Sequence, residues 1–242
     1  MMTRLKRFYA AQMMCPGFPG LFINPFYFAR KGLYDSIRGL SSGITGRVLD
    51  VGCGTQPYRR LFATADYTGM ELDTQENRAH KRADVFYGGQ TFPFESESFD
   101  SLLCSQVLEH VFTPLEFVRE LHRVLRPGGA LLLTVPFVWD EHEQPYDSGR
   151  YTSFGLRALM KEAGFEVVEH IKTMGDVRVL CQLMNAYLYK VTVSKSPYLN
   201  LASTLLLMAP INLLGAAARF VTPANPDLYL DNVILARKAG LE

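Results

Sequence analysis

Val48-Leu49-Asp50-Val51-Gly52-Cys53-Gly54-Thr55 is the stretch that decides the fold. It is a short apolar run ending in two glycines one residue apart, which is typical of a buried strand turning into a loop where backbone approaches a ligand closely. An acid, Asp50, closes this strand, and a second predicted strand ends in Glu71, about twenty residues further on. The arrangement predicts the nucleotide-binding half of a doubly wound α/β fold, with a carboxylate for ribose hydroxyls.

The loop after this strand lacks one feature of dinucleotide sites. Such sites carry a third glycine where the loop enters the helix, but this chain has Thr55-Gln56-Pro57 there. No pyrophosphate therefore needs to bind at the helix start, which argues against NAD or FAD. The stretch from Leu49 to Gly54 instead resembles motif I of the class I S-adenosylmethionine (SAM)-dependent methyltransferases. The alternative is a structural βα turn without a ligand.

The resemblance implies a SAM site. In the family pattern the acid that ends the second strand, here Glu71, accepts hydrogen bonds from both ribose hydroxyls, and an acid at Asp84 faces the adenine amino group. Gln106 is placed near the methionine part of SAM or near the acceptor. A surface acid in a turn is the alternative for Asp84. The implied cofactor-binding residues are Asp50, Gly52, Gly54, Thr55, Glu71, Leu72, Asp84, Val85, Ser105 and Gln106.

Alternating strand and helix patterns extend the α/β fold. Strands are predicted at Tyr67–Leu72, Ser101–Ser105, Ala130–Val135, Phe165–Ile171 and Leu228–Lys238, with helices at 25–37, 57–65, 114–125 and 153–163. We therefore expect a Rossmann-like, seven-stranded, mostly parallel sheet with an antiparallel last strand. We further expect a helical extension or cap at 1–46, a methyltransferase domain at 47–242, and within it a hydrophobic helical insert at 172–227.

Composition limits the partners and the compartment. The net charge of +1 gives no basic excess, so nucleic acid is not the expected partner. The four cysteines have no Cys-x-x-Cys spacing and are interpreted as reduced thiols of a cytoplasmic protein. Prolines and glycines between residues 16 and 25 interrupt any export-signal core, so no export signal is expected.

Two segments are expected to carry the acceptor chemistry. Gln106-Val107-Leu108-Glu109-His110 resembles the strand-4 region of a methyltransferase subfamily that includes many small-molecule and glycan enzymes. The polar loop after Pro136 follows another strand end, where open α/β sheets bind ligands, and it resembles loops of methyltransferases of cell-envelope glycan assembly. His142 and His110 are the candidate general bases, although each could be structural. Acceptor binding is expected from Glu141, Asp147, Arg150 and Tyr151.

A metal site is the competing interpretation of Glu109-His110. The pair is similar to metal-dependent O-methyltransferases that use Glu-x-x-Glu-His, but here Gln106 replaces the first glutamate. A neutral amide is a poor substitute for a carboxylate ligand. No metal is therefore expected.

Residues 199–221 are far more apolar than a connector between two strands requires. Their length approaches a membrane span, but Asn200, Pro210 and Asn212 interrupt them, which predicts two short helices packed on the core, in a membrane interface or in a homodimer. This favours a cytoplasmic protein that is peripheral on the inner face of the membrane.

Three functions are compatible with these patterns. The preferred one is methyl transfer from SAM, with S-adenosylhomocysteine as product, to an oxygen or nitrogen of a sugar or lipid-linked glycan. The second is methylation of a soluble aromatic or other small molecule, which the aromatic residues of 1–46 motivate. The third is SAM binding without catalysis, for which the altered third-glycine position is the hint.

Overall fold

A computed structural model describes residues 4–62 and 66–240. The described residues form the strands β1 Val48–Val51, β2 Tyr67–Leu72, β3 Val85–Tyr87, β4 Phe99–Ser105, β5 Leu125–Pro136, β6 Phe165–Lys172 and β7 Asp231–Lys238. The seven strands form one sheet in the order β3-β2-β1-β4-β5-β7-β6. β1 is parallel to both β2 and β4, and β5 is parallel to β4, while the final strands are antiparallel. The predicted α/β fold class is confirmed.

Helices precede and connect these strands. Both the extension before β1 and the insert between β6 and β7 are helical, as the sequence predicts. The helices are α1 Arg4–Met14, α2 Gly20–Ile23, α3 Tyr27–Leu40, α4 Gln75–His80, α5 Pro114–Val124, α6 Ser153–Glu162, α7 Arg178–Thr192, α8 Pro197–Ser203 and α9 Ala209–Ala218.

The chain forms two compact units. One contains residues 36–137, 141–171 and 232–242, and its core consists of buried strand residues and the apolar faces of α5 and α6. The other contains residues 1–35, 138–140 and 172–231, so most of the amino-terminal extension and the insert belong to one body. The domain boundary predicted between residues 46 and 47 stays a prediction. In the structure, most of the extension belongs to the same compact unit as the insert.

Buried amides hold the second unit together. The Oε1 atom of Gln182 accepts hydrogen bonds from the backbone N–H of Phe28 at 3.0 Å and of Ala29 at 3.1 Å. Nδ2 of Asn212 donates to the carbonyls of Leu21 at 3.0 Å and Asn24 at 3.1 Å. Buried amides are stable when hydrogen-bonded in this way. Asn212 is therefore an anchor of the insert, not an interruption of it.

The insert corrects one expectation. The predicted pair of short helices is wrong, because residues Pro197–Ala218 form one helix of 22 residues, with a π-helical turn at Thr204–Met208 between α8 and α9. Pro210 lacks an N–H and lies at the start of α9. Because the π-helical turn before it changes the hydrogen-bond pattern, the proline is accommodated without ending the helix. By length and composition this helix could cross a membrane, and 28% of its most apolar stretch is buried.

The described part of the helix predicted at 57–65 does not form an α-helix. The described part contains only a 3₁₀ turn, Arg59–Leu61, and residues 63–65 lie outside the described residues.

Candidate functional site

The motif I loop follows β1 and contains two glycines with different roles. Gly52 has φ +67°, and a Cβ there would lie 2.3 Å from Cγ2 of Val107, so packing alone requires glycine. Gly54 has φ +53°, and a Cβ there would meet nothing within 4 Å. Its backbone therefore borders open space, as expected where a ligand approaches the chain. Thr55 follows in an exposed position.

The acid at the end of β2 lies beside this loop. Oε2 of Glu71 accepts a hydrogen bond from the N–H of Gly54 at 3.0 Å, and Oε1 accepts one from the N–H of Leu72 at 3.1 Å. Leu72 itself is exposed. The structure thus joins the two strand ends that the sequence assigns to one crevice, and the fixed carboxylate fits a ribose diol placed next to Gly54.

Asp50 is placed differently from its expected role. Its side chain is buried, and Oδ2 accepts a hydrogen bond from the hydroxyl of Tyr67 at 2.6 Å. Burial raises the pKa of Asp50 to about 7. The side chain therefore ties β1 to β2, and its cofactor contact stays a prediction. The sequence pattern does not single out Tyr67.

Asp84 also makes a structural bond. It lies just before β3 and accepts a hydrogen bond from the backbone N–H of Gly69 at 2.7 Å through Oδ2, while Val85 is half-buried as the first residue of β3. Gln56, which has φ +56°, donates from Nε2 to the carbonyl of Arg82 at 2.6 Å and so closes the motif I loop. The adenine contact assigned to Asp84 stays a prediction.

The end of β4 is organised by a threonine that the sequence pattern does not reveal. Oγ1 of the buried Thr134 lies 2.9 Å from Oγ of Ser105 and accepts a hydrogen bond from Nε2 of Gln106 at 3.2 Å. Gln106 has φ +57°, an uncommon backbone conformation for a non-glycine residue. The bond to β5 fixes its amide at the carboxyl ends of the parallel strands, where α/β folds bind ligands.

A 3₁₀ turn, Leu108–His110, follows β4 and holds the loop after β5. The carbonyl of Glu109 accepts hydrogen bonds from the N–H of Ser148 at 2.7 Å and of Gly149 at 3.1 Å. Oγ of Ser148 adds a bond of 2.9 Å to the same carbonyl. Two segments more than thirty residues apart in sequence are thereby fixed to each other.

This attachment brings the two candidate bases into contact. The ring centroids of His110 and His142 are 4.9 Å apart, with the planes at 76°. The fully buried side chain of Glu109 completes the cluster, and the ligand-type atoms of all three residues lie within 4.8 Å of one another. The side-chain amide of Gln106 is instead bonded to Thr134. The sequence treats His110 and His142 as alternatives, whereas the structure places them together.

The four residues expected to bind the acceptor have several local partners. Arg150 donates from Nη1 and Nη2 to the two carboxylate oxygens of Asp147 at 2.6 and 2.7 Å. These bonds lower the pKa of Asp147 to about 2, so it stays ionised. Glu141 is exposed and accepts a hydrogen bond from Gln144, and Tyr151 is half-buried. Acceptor binding by these residues stays a prediction.

Comparison with known proteins identifies the domain. Residues 49–133 match the family model described as a methyltransferase domain. A probable S-adenosylmethionine-dependent methyltransferase of Mycolicibacterium smegmatis is 32% identical over 163 residues, which are 62% of this chain and 63% of the relative. Seven further relatives, all named uncharacterized methyltransferases, are matched over 37% to 48% of their own lengths.

Solved structures with the same fold have little sequence identity to this chain. The [4+2]-cyclase SpnF has a TM-score of 0.55 at 19% identity, over 86% of this chain and 82% of its own. A phosphoethanolamine N-methyltransferase of Haemonchus contortus has a TM-score of 0.55 at 18% identity, over 96% of this chain and 57% of its own. These likenesses show the fold. The segment that matches the methyltransferase domain, residues 49–133, and the named relatives make this chain similar to S-adenosylmethionine-dependent methyltransferases.

Proposed function

We propose that this chain transfers a methyl group from SAM to an oxygen or nitrogen of a sugar or lipid-linked glycan at the inner face of a membrane. The observation that carries the proposal is the pairing of Gly54 with Glu71 at the ends of β1 and β2. It combines open space beside a glycine backbone with a fixed carboxylate. That combination fits the ribose of a nucleoside-type methyl donor.

The chemistry requires few groups from the protein. SAM supplies a methyl group on a sulfonium; the acceptor forms a bond to the methyl carbon, the carbon–sulfur bond breaks, and neutral S-adenosylhomocysteine leaves. Alignment provides most of the acceleration in such an in-line displacement. A hydroxyl or protonated amine must also lose a proton, for which the contacting pair His110 and His142 is the available imidazole cluster.

Exposed apolar side chains of the insert support an amphiphilic acceptor. Helix α7 exposes Leu180, Met184, Tyr187 and Val191, whose spacing of three and four residues places them on one face. The helix Pro197–Ala218 exposes Leu199, Leu205, Leu206, Leu207, Leu213 and Leu214. Exposed apolar surface of this extent is typical of a protein or membrane contact.

Buried anchors favour a surface position over a span. Asn212 and Asn185 are fully buried and bind each other through a hydrogen bond of 2.9 Å. These polar groups, together with the contacts of Asn212 to the carbonyls of Leu21 and Asn24, tie one side of the helix to its own unit. The other side remains exposed, which is the arrangement of an interfacial helix.

Labelled SAM tests the function. We expect that the chain, incubated with methyl-labelled SAM and a total cell extract, forms S-adenosylhomocysteine and that the label enters the lipid-linked fraction. Label confined to water-soluble molecules would instead support a soluble small-molecule acceptor. SAM binding without S-adenosylhomocysteine formation, in the presence of every extract fraction, would contradict catalysis.

Flotation with lipid vesicles tests the membrane contact. Replacing Leu206, whose side chain is 75% exposed, by glutamate should lower vesicle binding about tenfold, because burial of a leucine side chain in an apolar environment is worth about 1.5–3 kcal/mol. Phe154→Glu is the matched control, since Phe154 is 82% exposed on α6. Equal flotation of both variants, or a monodisperse dimer that ignores vesicles, would contradict the membrane contact and favour a homodimer.

A further inference from the structure

The cluster formed by Glu109, His110 and His142 has the composition of a metal site. Nε2 of His110 lies 3.9 Å from Oε1 of Glu109 and also 3.9 Å from Oε2 of Glu143. The expectation of no metal rests on Gln106, which would have to be a ligand next to Glu109. In the structure His142, from the loop after β5, lies beside Glu109 and His110, so a third candidate ligand exists without the amide at position 106.

Hydrogen bonds define which imidazole nitrogens can bind a cation. Nδ1 of His110 lies 3.0 Å from the carbonyl oxygen of Tyr146. A carbonyl only accepts, so Nδ1 carries the proton and the lone pair is on Nε2, the atom near Glu109. Nδ1 of His142 similarly lies 3.3 Å from Oδ2 of Asp147, which leaves the lone pair on its Nε2. Metal-binding histidines usually donate their other ring N–H to a carbonyl or carboxylate, as both histidines do here.

The outer contacts are themselves fixed. Asp147 is held by both guanidinium nitrogens of Arg150 and accepts a hydrogen bond from the backbone N–H of His142 at 3.0 Å. Glu109 is held by the hydrogen bonds that its carbonyl accepts from Ser148 and Gly149. The backbone at Glu109 and the carboxylate behind His142 are thus fixed before any cation binds, which reduces the ordering that binding requires.

We propose that Glu109, His110 and His142 bind one divalent transition-metal ion of the Zn²⁺ class. Two imidazoles and one carboxylate suit such ions and leave a fourth position open. Tetrahedral bonds of about 2.1 Å place ligand atoms about 3.4 Å apart. Since the ligand atoms here lie within 4.8 Å of one another, side-chain movements of about 1 Å close the site.

The metal site extends the proposed function. Only the role of the metal in catalysis rests on that function. With the metal bound, His110 and His142 would act as ligands and not as bases. An acceptor hydroxyl at the open position would then lose its proton to water more readily, because the cation would stabilise the alkoxide that attacks the methyl carbon. Metal binding itself needs neither SAM nor an acceptor. Failure of one proposal is therefore distinguishable from failure of the other.

Titration of the metal-free chain with Co²⁺ and Zn²⁺ tests the site. We expect one ion per chain, with visible d–d absorption for Co²⁺ and displacement of Co²⁺ by Zn²⁺. His142→Ala and Glu109→Gln should each weaken binding at least about 100-fold, and Asp147→Asn about 10- to 100-fold through loss of the outer contact. His80→Ala is the control, because His80 is exposed at the end of α4.

Circular dichroism of each variant separates loss of a ligand from loss of the fold. Glu109 is fully buried and its variant could unfold, whereas His142 is half-buried in a loop. The proposal is overturned if the folded parent chain binds neither ion below about 1 mM, or if folded His142→Ala binds them as the parent chain does.

Discussion

His142→Ala is expected to lower the rate of methyl transfer by roughly 10²- to 10⁴-fold, the usual range for loss of a group that assists proton removal. SAM affinity should stay nearly unchanged, because the candidate ribose site is formed by Glu71 and Gly54, at the ends of β2 and β1. Steady-state kinetics with methyl-labelled SAM and the acceptor fraction that takes up the label measures the rate, and calorimetry measures SAM binding.

Combining His110→Ala with His142→Ala tests whether the two histidines share one role. The rings of His110 and His142 contact each other, and both lie next to Glu109. Groups that act as one unit show strongly non-additive losses. We therefore expect His110→Ala combined with His142→Ala to be about as slow as the slower single variant. Losses that multiply would contradict a shared role, and a loss in the His80→Ala control would indicate a general effect of histidine removal.

Gly54→Ala is expected to weaken SAM binding by about 5- to 150-fold. The added methyl group enters the space beside the motif I loop and overpacks a bound ligand, which typically costs about 1–3 kcal/mol. Gly52 is a poorer choice, because a Cβ there collides with Val107 and would disturb the fold as well as the site.

Gly128→Ala is the matched control for this variant. Gly128 has φ +75°, and a Cβ there would also meet nothing within 4 Å. Both variants therefore lose a similar amount of stability, about 1–2 kcal/mol, from an alanine in the left-handed region. Thermal unfolding should shift similarly in the two variants, whereas calorimetry should show weaker SAM binding only for Gly54→Ala. Equal SAM affinities would place the donor elsewhere.

The sheet was largely predictable because its signals are local. β2 spans Tyr67–Leu72 as predicted, and β4 and β5 contain the apolar runs at 101–105 and 130–135. The insert was harder, since Pro210 and Asn212 indicate a break when neighbours along the chain alone are considered. A π-helical turn accommodates the proline, and the backbone of residues 21 and 24 satisfies the asparagine. Neither compensation has a sequence pattern.

The site was predictable at the level of strand ends and not of contacts. Glu71 and the glycines follow from the βα pattern, and the structure joins Glu71 to Gly54. The partnership of His110 with His142 could have been inferred, because adjacent parallel strands bring the segments after β4 and β5 to the same edge. Tyr67 and Thr134 could not, since a single hydroxyl in an apolar strand gives no indication of its partner.

The two backbone bonds to Glu71 leave half of its carboxylate lone pairs for a ligand. An ionised carboxylate has about four acceptor positions. The N–H groups of Gly54 and Leu72 occupy one on each oxygen. Two positions then remain, one on each oxygen, and they match the two free ring hydroxyls, 2′ and 3′, of the ribose of SAM. Glutamine has the same shape, but its NH₂ group would face one of these backbone N–H groups, donor against donor. Glu71→Gln would therefore lose a hydrogen bond to the loop as well as an acceptor for a ribose hydroxyl.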